Sequence, residues 1–456
     1  MTMQKTDRGG FASRLGIILA TAGSAVGLGN VWRFPYMAGE NGGAAFILIY
    51  VGCILLLGIP GMVSEFIIGR YSQANAARAY YQISGGRRRW RLVGYLGILT
   101  SMIILGFYTV VAGWCLQYLY ASLLGRLSGD AHYVVDYFQS FSSHPLKPCL
   151  WAVAFILITH LVVVRGMQNG IERASKLLMP LLLVLLLIIV AASCSLPRAM
   201  AGVEFLLKPD FSKVSGSVML EALGQAFFSL SLGTACLCTY ASYFAKDTHL
   251  LKSAGQIALL DTLIAILAGL MIFPAAFSVG VEPGAGPSLI FITLPNVFQQ
   301  AFAAMPVVGY VVGVLFYALL VFAALTSTIS MHEIGTAFFS EEFHTARHRS
   351  AWIVTAVCSL LAIGCSLSVG AVDGLKLFGQ SLMDFCDMLT AQVMLPMGAF
   401  LTSVFIGWVV DQRLVQSELT NHGKVTPWFF PVYRFAVRFI VPLCILLIFL
   451  HQLGVI

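Results

Sequence analysis

Two glycine-containing stretches interrupt apolar runs of this chain, and both carry side-chain oxygens. The first is "GSAVGLGN", residues 23–30, leading into "VWRFP"; the second is "FFSLSLG", residues 227–233. A lone glycine cluster in a membrane helix often does no more than allow close packing. Here the breaks are paired and stand beside Asn30, Ser229 and Ser231. Backbone groups freed inside a membrane have no water to bond and must find another polar partner. An ion or a small polar substrate is such a partner. Broken helices at corresponding positions of two halves point to the central site of a transporter.

Other chemistries are poorly provided for. The apolar runs hold no HExxH, no Ser/His/Asp set and no paired acids near a histidine, so no enzymatic role is expected. His160 and His332 lie in apolar runs without metal-ligand neighbours in the sequence, which favours packing. The ten cysteines are scattered with no CxxC or Cys/His spacing. Cys149 and Cys194 both fall near the outer surface and are able to pair, but free thiols are the expectation.

The elements that position these residues are membrane helices. Hydrophobic residues make up 59% of the chain and charged ones 10%, too few charges for a soluble surface of this size. Apolar runs near the ~20 residues of a spanning helix recur from end to end. They predict eleven spans: 13–36, 44–69, 92–122, 149–165, 174–195, 218–244, 255–280, 307–339, 350–369, 376–410 and 429–450. The short alternating segments of a membrane β-barrel do not occur. The fold class is therefore all-α integral membrane with helices 1 and 6 broken; if the chain is built as inverted five-helix repeats (helices 1–5 and 6–10), as the resemblance given below implies, the two breaks fall at corresponding positions. Residues 1–456 read as a single transmembrane transporter domain, since no linker divides them.

With a cytoplasmic N-terminus, twenty of the 27 Lys and Arg fall on inner segments and seven on outer ones, as the positive-inside rule requires. The odd helix count puts the C-terminus outside. "GRRRWR", residues 86–91, is then a topology anchor, and the net charge of +7 calls for no nucleic acid. The expected location is the inner (plasma) membrane of the cell, multi-pass. The lipid bilayer is an expected partner; protein partners are not indicated. The longest outer loops are about 123–148 and 196–217, and 281–306 reads as a loop with short helices over the outer mouth.

Long motifs in order along the chain carry a resemblance. "GSAVGLGNVWRFPYMAGENGGAAFILIY", "GIPGMVSEFIIGRYSQ", "GIERASKLLMP", "GQAFFSLSLGTACLCTYASYF", "FITLPNVF" and "FAALTSTIS" resemble the neurotransmitter:sodium symporter family, in its short bacterial eleven-helix amino-acid branch. The resemblance implies Na⁺-coupled import of an amino acid by alternating access, with two Na⁺ sites. Site one would take the Ala25 carbonyl, Asn30, Ser229 and Asp261, with the substrate carboxylate. Site two would take the Gly23 and Val26 carbonyls with Ala323, Thr326 and Ser327. These are hard oxygen donors, as Na⁺ requires; in isolation Thr326 and Ser327 would be expected to bond back to their own helix. The substrate pocket carries over onto Ala25, Gly29, Ile104, Tyr108, Phe228, Ser231, Thr234, Ser327 and Met331.

The same resemblance gives an outer gate from Arg33 and Asp387, with Asp384 a rival. It gives an inner gate from Arg8 and Glu341, near Ser242 and Tyr243, with Glu342 a rival. Glu65 would steady the helix breaks, and Gly170 with Pro180 would let helix 5 unwind at its inner end. Gly27 stands where amine carriers place an Asp, which implies an α-amino acid. Thr234 in place of a bulky Phe, with flexible Met331, implies a large apolar side chain, aromatic ones included. Asp261 and Ala265 replace the Asn and Ser of chloride-dependent relatives, whose anion lies near residues matching Tyr50, Gln225 and Ser229. Chloride independence is therefore expected. The alternative reading is a transporter-like sensor that binds an amino acid without moving it.

Overall fold

The structure is a computed structural model and describes residues 10–127, 131–280, 289–372, 374–424 and 429–452. Among the described residues, eight helices are long and apolar enough to cross a membrane: Ala44–Ser72, Arg88–Leu123, Met167–Cys194, Leu250–Ser278, Pro306–Glu342, Arg347–Ser368, Leu382–Val409 and Phe430–His451. These are spans 2, 3, 5, 7, 8, 9, 10 and 11. Span 1 is the bent pair Arg14–Ala25 and Gly29–Glu40, with 55° between its halves. Span 4 is Lys147–Val163, and the helix before it turns away by 74° in the outer loop. Span 6 comprises Gly216–Ser229 and Cys236–Ala241, separated by non-helical residues. "Inner" and "outer" below follow the orientation expected from the basic residues.

The first half of span 1 is capped at its start and gives way to an extended residue at the break. Ser13 caps the first half of span 1 by accepting from the Gly16 amide at 3.0 Å, and the helix ends at Val26 in extended conformation. The second break is conformationally more costly. Ser231 (φ 54°), Gly233 (φ 82°) and Ala235 (φ 60°) all sit in the left-handed region, which only glycine enters freely. Glu65 of span 2 holds this turn by accepting from the Gly233 amide at 2.8 Å and the Cys238 amide at 3.3 Å. Its expected steadying role thus has a geometry at span 6.

Span 3 packs on spans 4, 8 and 9, and both halves of span 6 pack on span 2, while span 1 touches spans 5, 7 and 8. Small residues permit the close approaches, as membrane packing requires. A Cβ on Gly97 of span 3 would meet the Ala235 side chain at 2.7 Å, and one on Gly113 would meet the Ala152 amide nitrogen at 2.6 Å.

The starts of spans 10 and 5 differ most from expectation. Span 10 does not begin at 376. Lys376–Leu377 pairs antiparallel with Gln380–Ser381, and the helix starts at Leu382 behind a Ser381 cap. Span 5 begins earlier than 174, through a π-helical turn at Met167–Glu172. Gly170 lies in that turn and Pro180 lies inside the helix beyond it. The outer loops hold helices Ala131–Ser142 and Ala199–Leu207, and the later loop holds Leu294–Ala301; residues 281–288 lie outside the described residues.

Candidate functional site

The span 1 break brings Asn30 against spans 6 and 7. Asn30 Nδ2 donates to Asp261 Oδ1 at 2.8 Å and to Ser229 Oγ at 3.3 Å, and its Oδ1 accepts the Gly27 amide at 3.0 Å. Ser229 Oγ donates to Asp261 Oδ2 at 2.6 Å, and the Tyr50 hydroxyl donates to the same oxygen at 3.3 Å. Asn30, Tyr50 and Asp261 have no exposed surface, and Ser229 is buried. A carboxylate at that depth is costly unless bonded or beside a cation. Four of the five polar side chains expected around the first ion and at the anion site of chloride-dependent relatives thus meet in one cluster. The fifth, Gln225, is fully buried with neither amide atom hydrogen-bonded.

A second oxygen cluster lies at the Val26 carbonyl. Ser327 Oγ donates to it at 3.2 Å and Thr326 Oγ1 approaches it at 3.4 Å. Thr326 also reaches the carbonyls of its own helix, Ala323 at 3.0 Å and Phe322 at 3.2 Å. Bonding back to the helix and facing the break are therefore both true of this residue. Gly23 lies opposite: a Cβ there would be 3.2 Å from the Thr326 side chain.

Between the clusters, the Tyr108 hydroxyl accepts the Leu28 amide at 3.1 Å, and a Cβ on Gly27 would meet that hydroxyl at 3.1 Å. Gly29 is covered by the Phe228 ring, 2.9 Å from where its Cβ would stand. Ser231 Oγ donates to the Ser24 carbonyl at 3.2 Å, tying the two breaks together. Met331 belongs to an apolar cluster with Leu105, Ile156, Val354 and Cys358, against which Ile104 and Tyr108 pack. Ala25 is buried at the end of the first half-helix. Thr234 does more than line a wall: its hydroxyl donates to the Ser231 carbonyl at 2.7 Å and accepts the Cys236 amide at 3.1 Å.

The gates fare differently. Arg33 stacks on Phe228, 4.3 Å from the ring centroid, and among the described residues it forms no ion pair with Asp387. Asp384 is committed elsewhere, capping span 10 through Ser381 at 2.6 Å. On the inner side Arg8 lies outside the described residues. Glu341 accepts the Asn75 amide at 2.8 Å and the Asn75 side chain at 3.0 Å. Its rival Glu342 binds Arg78 at 3.3 Å and also Arg91. Ser242 bonds back to the Thr239 carbonyl, whereas the Tyr243 hydroxyl donates to Glu333 at 2.7 Å.

Sequence reading missed two inner constellations. Glu333 is fully buried and paired with Arg347, which also donates to the Val163 carbonyl at 2.9 Å. An acid within an apolar helix was the available signal. Glu172 accepts the Ala12 amide at 2.7 Å and the Ser13 hydroxyl at 2.8 Å, and pairs with Lys176 at 2.6 Å. His160 and His332 are buried, as packing requires, but are joined through polar contacts: His160 Nδ1 and His332 Nε2 each lie 2.9 Å from Thr355 Oγ1. Cys149 and Cys194 approach different partners, the Pro145 and Leu270 carbonyls, and do not pair.

The model of the sodium:neurotransmitter symporter family matches residues 8–135 and 143–456. An uncharacterized sodium-dependent transporter of Bacillus subtilis, YhdH, is 40% identical over 98% of both chains. Another from Haemophilus influenzae is 34% identical over 99% of this chain and 100% of its own. The crystal structure of MhsT in complex with L-phenylalanine superposes with a TM-score of 0.88 at 40% identity, covering 98% of this chain and 100% of that one.

Proposed function

This chain belongs to the sodium:neurotransmitter symporter family, and on that premise we propose that it imports a hydrophobic L-amino acid, aromatic ones included, with Na⁺ by alternating access. The observation that carries the reading is the pair of oxygen clusters at the two helix breaks, Asn30–Ser229–Asp261 and Val26–Thr326–Ser327. Both consist of hard donors at the depth where backbone groups otherwise lack partners. In this reading Na⁺ is cargo. One ion engages Asn30, Ser229, Asp261 and the Ala25 carbonyl, and a second engages the Gly23, Val26 and Ala323 carbonyls with Thr326 and Ser327. The transporter unit is residues 1–456 in the plasma membrane, with the N-terminus cytoplasmic and the C-terminus outside.

The substrate sits between the two ions. Its carboxylate lies beside Gly27 and meets the Tyr108 hydroxyl, to which the Leu28 amide donates, once the Ser327 hydroxyl, now 2.5 Å from where a Gly27 Cβ would stand, turns aside. Amides near Gly29, at the start of the outer half of span 1, add favourable dipoles. The amino group meets the Ala25 and Phe228 carbonyls and Ser231. The side chain lies toward Ile104, Phe228, Thr234, Ser327 and Met331. MhsT, solved with L-phenylalanine, supports a large apolar side chain by similarity. Arg33 with Asp387 and Arg8 with Glu341 are the gates.

Chloride has no role in this cycle. Tyr50 and Ser229 direct their hydroxyls at the Asp261 carboxylate, so a fixed negative charge already stands beside the first ion. A bound anion there would add repulsion in a poorly solvated site.

The test is uptake of labelled amino acids into proteoliposomes driven by a Na⁺ gradient. Uptake strongest for Phe, Trp, Tyr or Leu, equal in sodium gluconate and sodium chloride, is the expected result. Strongest competition by Gly or Ala would refute the substrate class, and silence in gluconate would refute chloride independence. Saturable Na⁺-dependent binding without uptake would make the chain a sensor.

A further inference from the structure

Spans 10 and 11 meet through two widened turns, the π-helical Phe405–Val409 and Ala436–Ile440. Gly407 lets them touch: a Cβ there would stand 3.0 Å from the Arg438 Cα. The contact lays the Arg438 guanidinium over the Trp408 indole, 3.9 Å from its centroid, and 5.7 Å from the Phe439 ring. The indole is itself fixed, since its Nε1 donates to the Arg438 carbonyl at 3.1 Å. Single-turn π-bulges often mark functional positions.

The surroundings face lipid. Trp408, Phe435, Phe439 and Leu443 are each about half exposed, on helices whose length and composition fit a membrane. Among the described residues Arg438 has no ion pair, and its buried Nε lacks a hydrogen-bond partner. The acids nearest in sequence are committed: Asp411 caps the following helix and Glu418 binds Arg70 at 2.7 Å. Arg434, exposed, lies one turn nearer the start of span 11, which begins at Phe430. An unpaired arginine on such a surface is costly. Span 10 ends at Val409, so Trp408 and the guanidinium stacked on it stand at the rim of the apolar layer, where aromatic belts and lipid phosphates meet.

We propose that Arg434, Arg438 and Trp408 form a binding site for the phosphate of an anionic phospholipid. The guanidinium groups bond the phosphate oxygens, Trp408 holds Arg438 in place, and the acyl chains lie along Phe435, Phe439 and Leu443. Arginine's planar donor fork suits phosphate, and basic sites between spans on the cytoplasmic side recognise such headgroups. The leaflet follows from the proposed orientation; the chemistry does not depend on it.

Native mass spectrometry of the purified full chain tests this, after exchange with mixed phosphatidylglycerol and phosphatidylcholine. The wild type should retain phosphatidylglycerol at least roughly tenfold over phosphatidylcholine, and Arg434→Gln with Arg438→Gln should cut that preference roughly tenfold. Arg434→Gln alone, at an exposed position, should give a partial loss even if the double variant folds poorly. Equal retention of the two lipids by the wild type, or unchanged preference in both variants, would overturn the proposal. Stabilisation by inorganic phosphate equal to that by phosphatidylglycerol would show a small-anion site and overturn the lipid assignment.

Discussion

At the inner mouth, Glu172 gathers the Ala12 amide, the Ser13 hydroxyl and Lys176, Glu333 gathers Tyr243 and Arg347, and Glu342 gathers Arg78 and Arg91. Phe11 adds a ring contact to Tyr240 at 6.1 Å. At the outer mouth Arg33 rests on Phe228, and among the described residues Asp387 has no ion-pair partner. A charge-assisted hydrogen bond contributes about 1.5–3 kcal/mol when well placed, and an exposed cation–π contact about 0.5–1 kcal/mol. The conformation is thus one whose closing contacts are concentrated on the inner side. A ligand can reverse that bias only through its own differential affinity for the two states. In the proposed cycle, bound substrate must therefore form the outer latch before the inner one can be released.

The largest effect should come from the inner ion pair. Arg347→Ala leaves Glu333 buried with Tyr243 as its remaining side-chain partner, a loss of about 3 kcal/mol. Denaturation in detergent measures it. Replacing both partners together, Arg347→Met with Glu333→Leu, should recover most of the loss, because no uncompensated charge remains. A single variant as stable as the wild type would show that the inner mouth is not held here.

Glu172 should matter next. It ties the segment before span 1 to the π-helical turn of span 5, so unwinding that turn releases both at once. Glu172→Gln keeps the shape and weakens three bonds, by about 1–2 kcal/mol in total. An Ile17→Cys reporter, buried in the inner half of span 1, should then react with a water-soluble thiol reagent about tenfold faster. Na⁺ should slow the reaction in both backgrounds. Equal rates with and without the Glu172 change would remove this residue from the latch.

Much of this contrast was illegible in the sequence, for a physical reason. Apolar runs fix where the spans lie, and paired glycines with Asn30 and Ser229 fix where they break, because both signals are local. The clustering of Asp261 with Asn30 was available only through resemblance, since 231 residues separate them. Glu172 and Ala12 are 160 residues apart, and nothing local in either segment announces the pairing. In the sequence Arg347 counts only among the basic residues of the inner segments, which its position also fits. The late start of span 10 was legible in principle: Ser381 three residues before Asp384 is a helix-start signature, but the apolar run around it hid the boundary.

The smallest expected effect on stability, and the sharpest test of the contrast, lies at the outer mouth. Because Arg33 and Asp387 are not paired here, Asp387→Asn should shift stability by less than about 0.5 kcal/mol in the absence of ligand. A double-mutant cycle with Arg33→Gln should give a coupling near zero under the same conditions. With Na⁺ and substrate present, the proposed cycle requires the pair to form, so the coupling should rise to about 1 kcal/mol and uptake should slow in either single variant. The sign is diagnostic. Coupling already present without ligand would mean that the outer latch closes on its own, and the difference between the two mouths would then lie in their contacts rather than in what the substrate does. Coupling absent in both conditions would remove Asp387 from the gate and leave Arg33 acting through Phe228 alone.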